Sequence, residues 1–472
     1  MAVPIPLFGP GLRAKSPYVT AKELVNLYCE TRPAGEKASL VAFGTPGLSL
    51  FSDLGATPIR GSIRPSIGSV AYIVHRGVFY EINAAGTTTA RGALLTTTGR
   101  VSLEFNGVQV MLVDGTYGYI YNTSTNAFAQ ITDGDFPANP TTVTYLGLRF
   151  VVSVRDSNSY YWSDVNDGLS WDALNFASAE ASPDPITAVF ASNGQLALLG
   201  SATTEFSGIS GDQDAAFAAL QGSANEWGVA ARWSVAKFDN TFACLMKNRM
   251  GQVMVAQLAG YLPKKISTPD IDSIINRYSS ISDATAYSYM LGGHPMYVIS
   301  FPTQATSWLY DGSTGFWSQL RSSGLTRHLG EFGFSFDDSS YLVADYSAGR
   351  LYRLAIDTYT DNGAMIVRQL VTENIAVPGQ VLISADKLRV DMEVGVGLAT
   401  GQGSNPQIGL EVSRDNGKTW GAQMWKTFGV AGKYEELVEW RRLGTSRTFN
   451  FRLTVTDPVP VTFVAAALNP AN

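Results

Sequence analysis

Apolar and polar residues alternate in short runs along most of the chain, and Gly, Asp or Asn breaks each run. This is the pattern of half-buried strands joined by tight turns. Seven runs carry it most clearly: SVAYIVHRGVFYEIN (69–83), VQVMLVDGTYGYIYN (108–122), LRFVVSVRDSNSYYWSD (148–164), GQLALLGSATTEFSG (194–208), QVMVAQLAGYLPKKIS (252–267), PMYVISFPTQATSWLYDGSTGFWSQL (295–320) and SYLVADYSAGRLYRLA (340–355). Each reads as a hairpin by alternation and turn chemistry. Their starts recur every 39 to 58 residues, the period expected of four-stranded propeller blades. The pattern predicts an all-β chain with a β-propeller of six or seven blades over 51–375. The longest interval is expected to hold an insertion around GDQDAAFAALQGSANEWG.

Three stretches depart from the repeat. Residues 1–50 carry turn signals (PIPLFGPG, TRPAGEKAS, FGTPGL) rather than periodicity and are expected as an extended N-terminal arm. In STPDIDSIINRY, Thr268 is an N-cap candidate with Pro269 at the first helical position, and Ile271, Ile274, Ile275 and Tyr278 follow helical spacing. A short helix over 269–279 is expected, with a second from Asp283. From 380 to 472, strand-like runs such as KLRVDMEVGVG, PQIGLEVS and SRTFNFRLTVTD predict a C-terminal β-sandwich of jelly-roll type.

Composition narrows the function classes. A net charge of −6 argues against a dedicated nucleic-acid-binding surface. Cys29 and Cys244 are far apart, which fits two isolated thiols in a reducing compartment rather than a disulfide framework. The N-terminus lacks the apolar core of a signal peptide, and no run reaches the roughly 18 apolar residues of a membrane span. A soluble chain made in a cytosol is expected.

Few motifs carry chemistry. Ser413-x-Asp415-x-Gly417-x-Thr419-Trp420 has the spacing of the Asp-box, a hairpin signature of sialidase-type propellers, and Asp164-x-Asn166-x-Gly168-x-Ser170-Trp171 is a degenerate copy. The box is a turn device: its Asp accepts backbone N–H groups, its Gly takes a conformation other residues resist, and its Trp packs beneath the hairpin. A sialidase would also need an arginine triad, a Tyr–Glu nucleophile pair and an acidic acid/base, none of which the sequence singles out. NGKT at 416–419 lacks the first Gly of a phosphate loop, and GVGLATG at 395–401 has the wrong spacing for a dinucleotide. His75, His294 and His328 are scattered without zinc spacing, and Cys244 lies in an apolar strand-like run. No catalytic, cofactor-binding or metal residue is expected, and no binding residue is singled out. Trp162, Trp171, Trp227, Trp233, Trp308 and Trp317 lie near turns or strand ends. They suit blade packing first, and sugar stacking or partner anchoring second.

The central run resembles a known family. WGVAARWSVA, GYLPKKIST, IDSIINRY, SDATAYSY, GHPMYVISFP and TSWLYDGSTGFWSQL appear in the order found in the tail accessory factors, or packaged-DNA stabilisation proteins, of short-tailed bacteriophages. VNLYCE, GTPGL, GSATTEF and EWRRLGTSRTFNFRLTVTD extend the match over nearly the whole chain. The resemblance implies a non-enzymatic virion protein without cofactors. It would form a tail hub or nozzle ring, as a homo-oligomer (a hexamer), below the portal-adaptor (head-completion) ring. Such a ring continues the DNA channel, retains packaged DNA, and docks a tail fibre or tailspike and a plug or needle. DNA would pass without sequence-specific binding and no membrane would be involved, with assembly in the host cytoplasm. The alternative is a glycan-binding or sialidase-like propeller.

Overall fold

A computed structural model describes residues 3–470 except 14, 34, 66–68, 213–214, 338–339 and 380. Seven four-stranded antiparallel blades follow one another along the chain. In blade 1 the strands are Ile59–Ile63, Val70–His75, Val78–Asn83 and Thr88–Ala93. Blades 2, 3 and 4 begin at Ser102–Phe105, Pro140–Leu146 and Ile186–Ser192. Blades 5, 6 and 7 begin with Ala236–Phe238 (together with Gly228–Val229), Thr285–Leu291 and Gly330–Ser335. First strands of successive blades touch one another around the ring, except that blade 5 meets blade 4 through Gly228–Val229 against Gln195–Gly200.

The alternation that predicts the hairpins also explains the packing. Each strand places alternate side chains on its two faces, so a blade is apolar on both sides and buries each against a neighbour. There are accordingly seven inter-blade cores instead of one centre. Between blades 1 and 2, Tyr72, Val74 and Phe79 meet Leu112, Tyr119 and Tyr121. Between blades 6 and 7, Tyr287, Met296 and Val298 meet Val343 and Tyr352. Blade 7 meets blade 1 through Leu342, Ala344 and Leu351 against Ile59, Ala71 and Ile73, which closes the ring.

Closure uses both ends of the propeller sequence. The last blade takes three strands from 330–355, and its fourth is Gly47–Ala56, paired antiparallel to Ala348–Ala355. Residues before Gly47 belong elsewhere. Val3–Ile5, Leu27–Thr31 and Leu40–Gly44 join Ile383–Met392, Val438–Ser446 and Thr462–Pro470 in one sheet of the C-terminal sandwich. The facing sheet contains Arg368–Val371, Gln407–Ser413, Met424–Thr427 and Thr448–Val455. Leu388, Trp440, Phe449, Phe451, Leu453 and Phe463 fill the space between them.

Three expectations are corrected. GDQDAAFAALQGSANEWG is not an insertion: Phe217–Ala219 is the outer strand of blade 4, and the interval is long because blade 5 has a split first strand. Gln213 and Asp214 of that run lie outside the described residues. The helix ends at Ile275, four residues early, although Thr268 caps it through its side chain as expected. No second helix starts at Asp283; the carboxylate accepts the Thr303 amide, and strand Thr285–Leu291 begins at once. Among the described residues, no helix is long and apolar enough to cross a membrane.

Candidate functional site

The Asp-box folds as its chemistry requires. It forms the turn after strand Gln407–Ser413, where the Asp415 carboxylate accepts the Lys418 amide at 3.0 Å and the Thr419 amide and hydroxyl at 2.9 and 2.6 Å. Burial opposes ionisation there, but hydrogen bonds from Thr419, Ser413 and Lys418 outweigh it and hold the carboxyl at about 2. Gly417 sits at φ +73°, against Ala21. Trp420 lies under the Arg452 guanidinium at 3.9 Å. The side-chain oxygens of Ser413, Asp415 and Thr419 are all engaged within the turn. The degenerate copy behaves alike: Ser170 donates to Asp164, and buried Trp171 donates to the Gly168 carbonyl at 2.9 Å.

The other sequence candidates do not converge either. Trp162, Trp171, Trp308 and Trp317 are buried between blades, with Trp317 donating to the Ile266 carbonyl and Trp308 to Tyr278. Trp227 packs partly buried against the core between blades 4 and 5. His75 contacts Thr57, His294 contacts Asp311 at 2.9 Å, and His328 contacts Tyr287, each in a different part of the propeller. Burial, helped by Arg327, lowers His328 to about 4, so it is neutral near pH 7. Burial pushes both thiols up to about 12, and both cysteines are free. Among the described residues no three His, Cys, Asp or Glu side chains gather as metal ligands do.

Two features that sequence reasoning did not single out define what the molecule can do. The first is on the propeller axis. Arg100, just before blade 2, lays its guanidinium over Phe332 of blade 7 at 4.1 Å and over Trp233 of blade 5 at 5.1 Å. A side chain in contact with blades on both sides of a seven-membered ring must cross the axis. Burial lowers Arg100 to about 10, with Glu331 acting against the shift, so it stays charged near neutral pH. Burial also raises Glu104, on the first strand of blade 2, to about 7, against the Phe105 amide it accepts. Arg100 bridges the axis between two blades, and nothing in the sequence distinguishes it from other arginines.

The second feature is the seam between propeller and sandwich. Glu23–Val25 pairs parallel to the outer strand of blade 6, Trp317–Leu320, and antiparallel to Arg368–Val371 of the sandwich. One ten-stranded sheet thus runs from blade 6 through the seam into the sandwich. Asn26, at φ +53°, donates its side-chain amide to the Arg321 and Val367 carbonyls at 2.8 and 2.9 Å, and accepts the Arg321 amide. Lys22 is fully buried and reaches Glu373 at 3.1 Å. Arg368 is fully buried near Asp361; burial lowers the arginine to about 10 and raises the aspartic acid to about 6. Continuous backbone pairing plus the Asn26 and Lys22 contacts make this a stiff joint, not a hinge, while the Arg368 guanidinium adds no hydrogen bond.

Two family models cover nearly the whole chain. Residues 1–359 match the model described as Bacteriophage P22 Gp10, beta-propeller, and residues 367–469 match Bacteriophage P22 Gp10, beta-sandwich. The chain belongs to this phage tail family. It is a structural, non-catalytic tail protein of the virion that stabilises packaged DNA, and it works in contact with DNA and other tail components. The match gives no support to a glycan-binding role. No curated protein matches the sequence significantly. Solved structures are similar only at low identity. YCF48 bound to D1 peptide is 14% identical with a TM-score of 0.42, over 68% of this chain and 99% of that one. A chain of the mitotic checkpoint complex is 11% identical with a TM-score of 0.41, over 69% and 95%. The extracellular domain of a hybrid two-component system from B. thetaiotaomicron is 10% identical with a TM-score of 0.44, over 84% and 48%.

Proposed function

We propose that the chain forms a hexameric hub or nozzle ring below the portal-adaptor ring, that DNA passes through the lumen of that ring, and that the ring docks a fibre or spike and a closing plug. The observation that carries this reading is the propeller axis bridged by Arg100. With Arg100 spanning between Phe332 and Trp233, a duplex has no path through a single subunit, so a channel has to be built between subunits. The stiff seam supports the same reading, because a wall element that holds DNA under pressure must resist bending between its two units. The net charge of −6 fits a lumen that does not grip phosphates, so DNA slides during ejection. Residues 57–355 with Gly47–Ala56 then act as the wall block, and 367–470 with the N-terminal strands act as a second block rigidly attached to it. Assembly takes place in the host cytoplasm before the tail is closed.

Quantitative mass spectrometry of purified virions tests the ring. One copy of this chain for every two portal subunits is the expected ratio. A ratio far from that, or absence from virions with intact tails, would remove the proposal.

A further inference from the structure

Two exposed surfaces at opposite ends of the sandwich complement each other in charge. At one end a groove of about 500 Å³ is lined by Tyr18, Val377, Pro378, Arg414 and Arg447. Tyr18 is 63% exposed and Val377 46%. Arg414 is pre-positioned there, donating to the Leu443 carbonyl at 2.6 Å. At the other end the loop between Met424–Thr427 and Val438–Ser446 projects Tyr434, 74% exposed, and Leu437, 52% exposed, around the exposed carboxylate of Glu435. Strand Val438–Ser446 separates the two surfaces, since the loop enters it at Val438 and Arg447 follows its last residue. At about 3.3 Å per residue the separation is about 30 Å, so one subunit cannot bring the loop to its own groove.

We infer that the Tyr434–Leu437 loop of one copy seats in the Tyr18–Arg447 groove of the next, with Glu435 against Arg414 and Arg447. Tyrosine and arginine anchors inside an apolar surround are what concentrated binding energy requires. A contact between two different patches of the same chain is heterologous, and repeating it generates a ring when the rotation closes. The inference rests on the ring reading above and adds the residues that form the joint.

The test uses phage lacking its own copy of the gene, complemented with variants and purified as virions. Tyr434→Cys and Val377→Cys are introduced singly and together, and a short bismaleimide is applied; Cys29 and Cys244 are buried and do not react. The expected result is a ladder of covalent multimers from the double variant and monomer from each single one. Monomer alone from a double variant present in virions would overturn the joint and leave the tail assignment intact, as would dimers from a single variant. Absence of the unmodified chain from tailed virions would overturn both. A second measurement covers loss of assembly. Glu435→Arg should cut incorporation at least tenfold, and pairing it with Arg447→Glu should restore most of it; no restoration counts against the joint.

Discussion

Propeller and sandwich are built from the same strand chemistry but by different routes. Each blade is assembled from residues close together in sequence, apart from the single strand Gly47–Ala56 that closes blade 7. The sandwich draws on both ends of the chain: Leu27, Cys29 and Ala42 pack in one core with Phe451, Val459 and Phe463. The propeller therefore distributes its stability over seven seams, while the sandwich concentrates it in one core that is incomplete without the N-terminal segment. Loss of that segment should expose the contrast.

The largest effect is expected from deleting residues 3–46. That removes three strands of one sandwich sheet and the bridging strand Glu23–Val25, yet leaves Gly47–Ala56 to close the propeller. Limited proteolysis should digest the sandwich and leave a propeller fragment beginning near residue 47; a wholly resistant chain would break the contrast. Next, Phe463→Ala, in the single core of the sandwich, should cost about 3–5 kcal/mol in the denaturant transition of that unit. The propeller transition should stay in place, and a matching shift in both would show that the seam makes them one cooperative unit.

Smaller effects probe local devices. Asp415→Ala removes the acceptor that organises the Asp-box turn and should cost the sandwich about 1–2 kcal/mol at pH 7. Its low folded value means that this contribution is present above about pH 4 and is lost as pH falls towards 2, so wild type and variant should converge in acid. Glu104 has the opposite sign. Its carboxyl is raised from 4.5 to about 7, so the folded state binds the proton more tightly and propeller stability falls as pH rises through that window. Glu104→Gln should flatten that part of the profile, measured by thermal unfolding at a series of pH values. An unchanged slope would place Glu104 in contact with solvent.

What was legible in the sequence follows the same division. Blade hairpins such as Val70–His75 with Val78–Asn83 declare themselves because alternation, turn and partner lie within about fifteen residues. Thr268 and Pro269 announce the helix start, but its end is set at Asn276, whose backbone and side-chain N–H groups both donate to the Asp272 carbonyl. The strands Leu27–Thr31 and Leu40–Gly44 are hidden for a related reason: turn residues dominate the segment, and the sheet that receives it comes mostly from the chain's last ninety residues. Short strands beside a distant partner leave little periodicity to read. The box at Asp415 was legible as a turn, and its wholly structural hydrogen bonding agrees with that reading. Arg100 was not, since its importance comes from Trp233 and Phe332, which fold onto it from blades 5 and 7.

The central claim is that DNA runs between subunits and never through a propeller. A reconstruction of the DNA-filled tail tests it most directly. The account predicts rod-like DNA density on the ring axis, surrounded by copies of this chain, with the Arg100 side chain occupying each propeller axis. DNA density threading a propeller, with Arg100 displaced from Phe332 and Trp233, would contradict it.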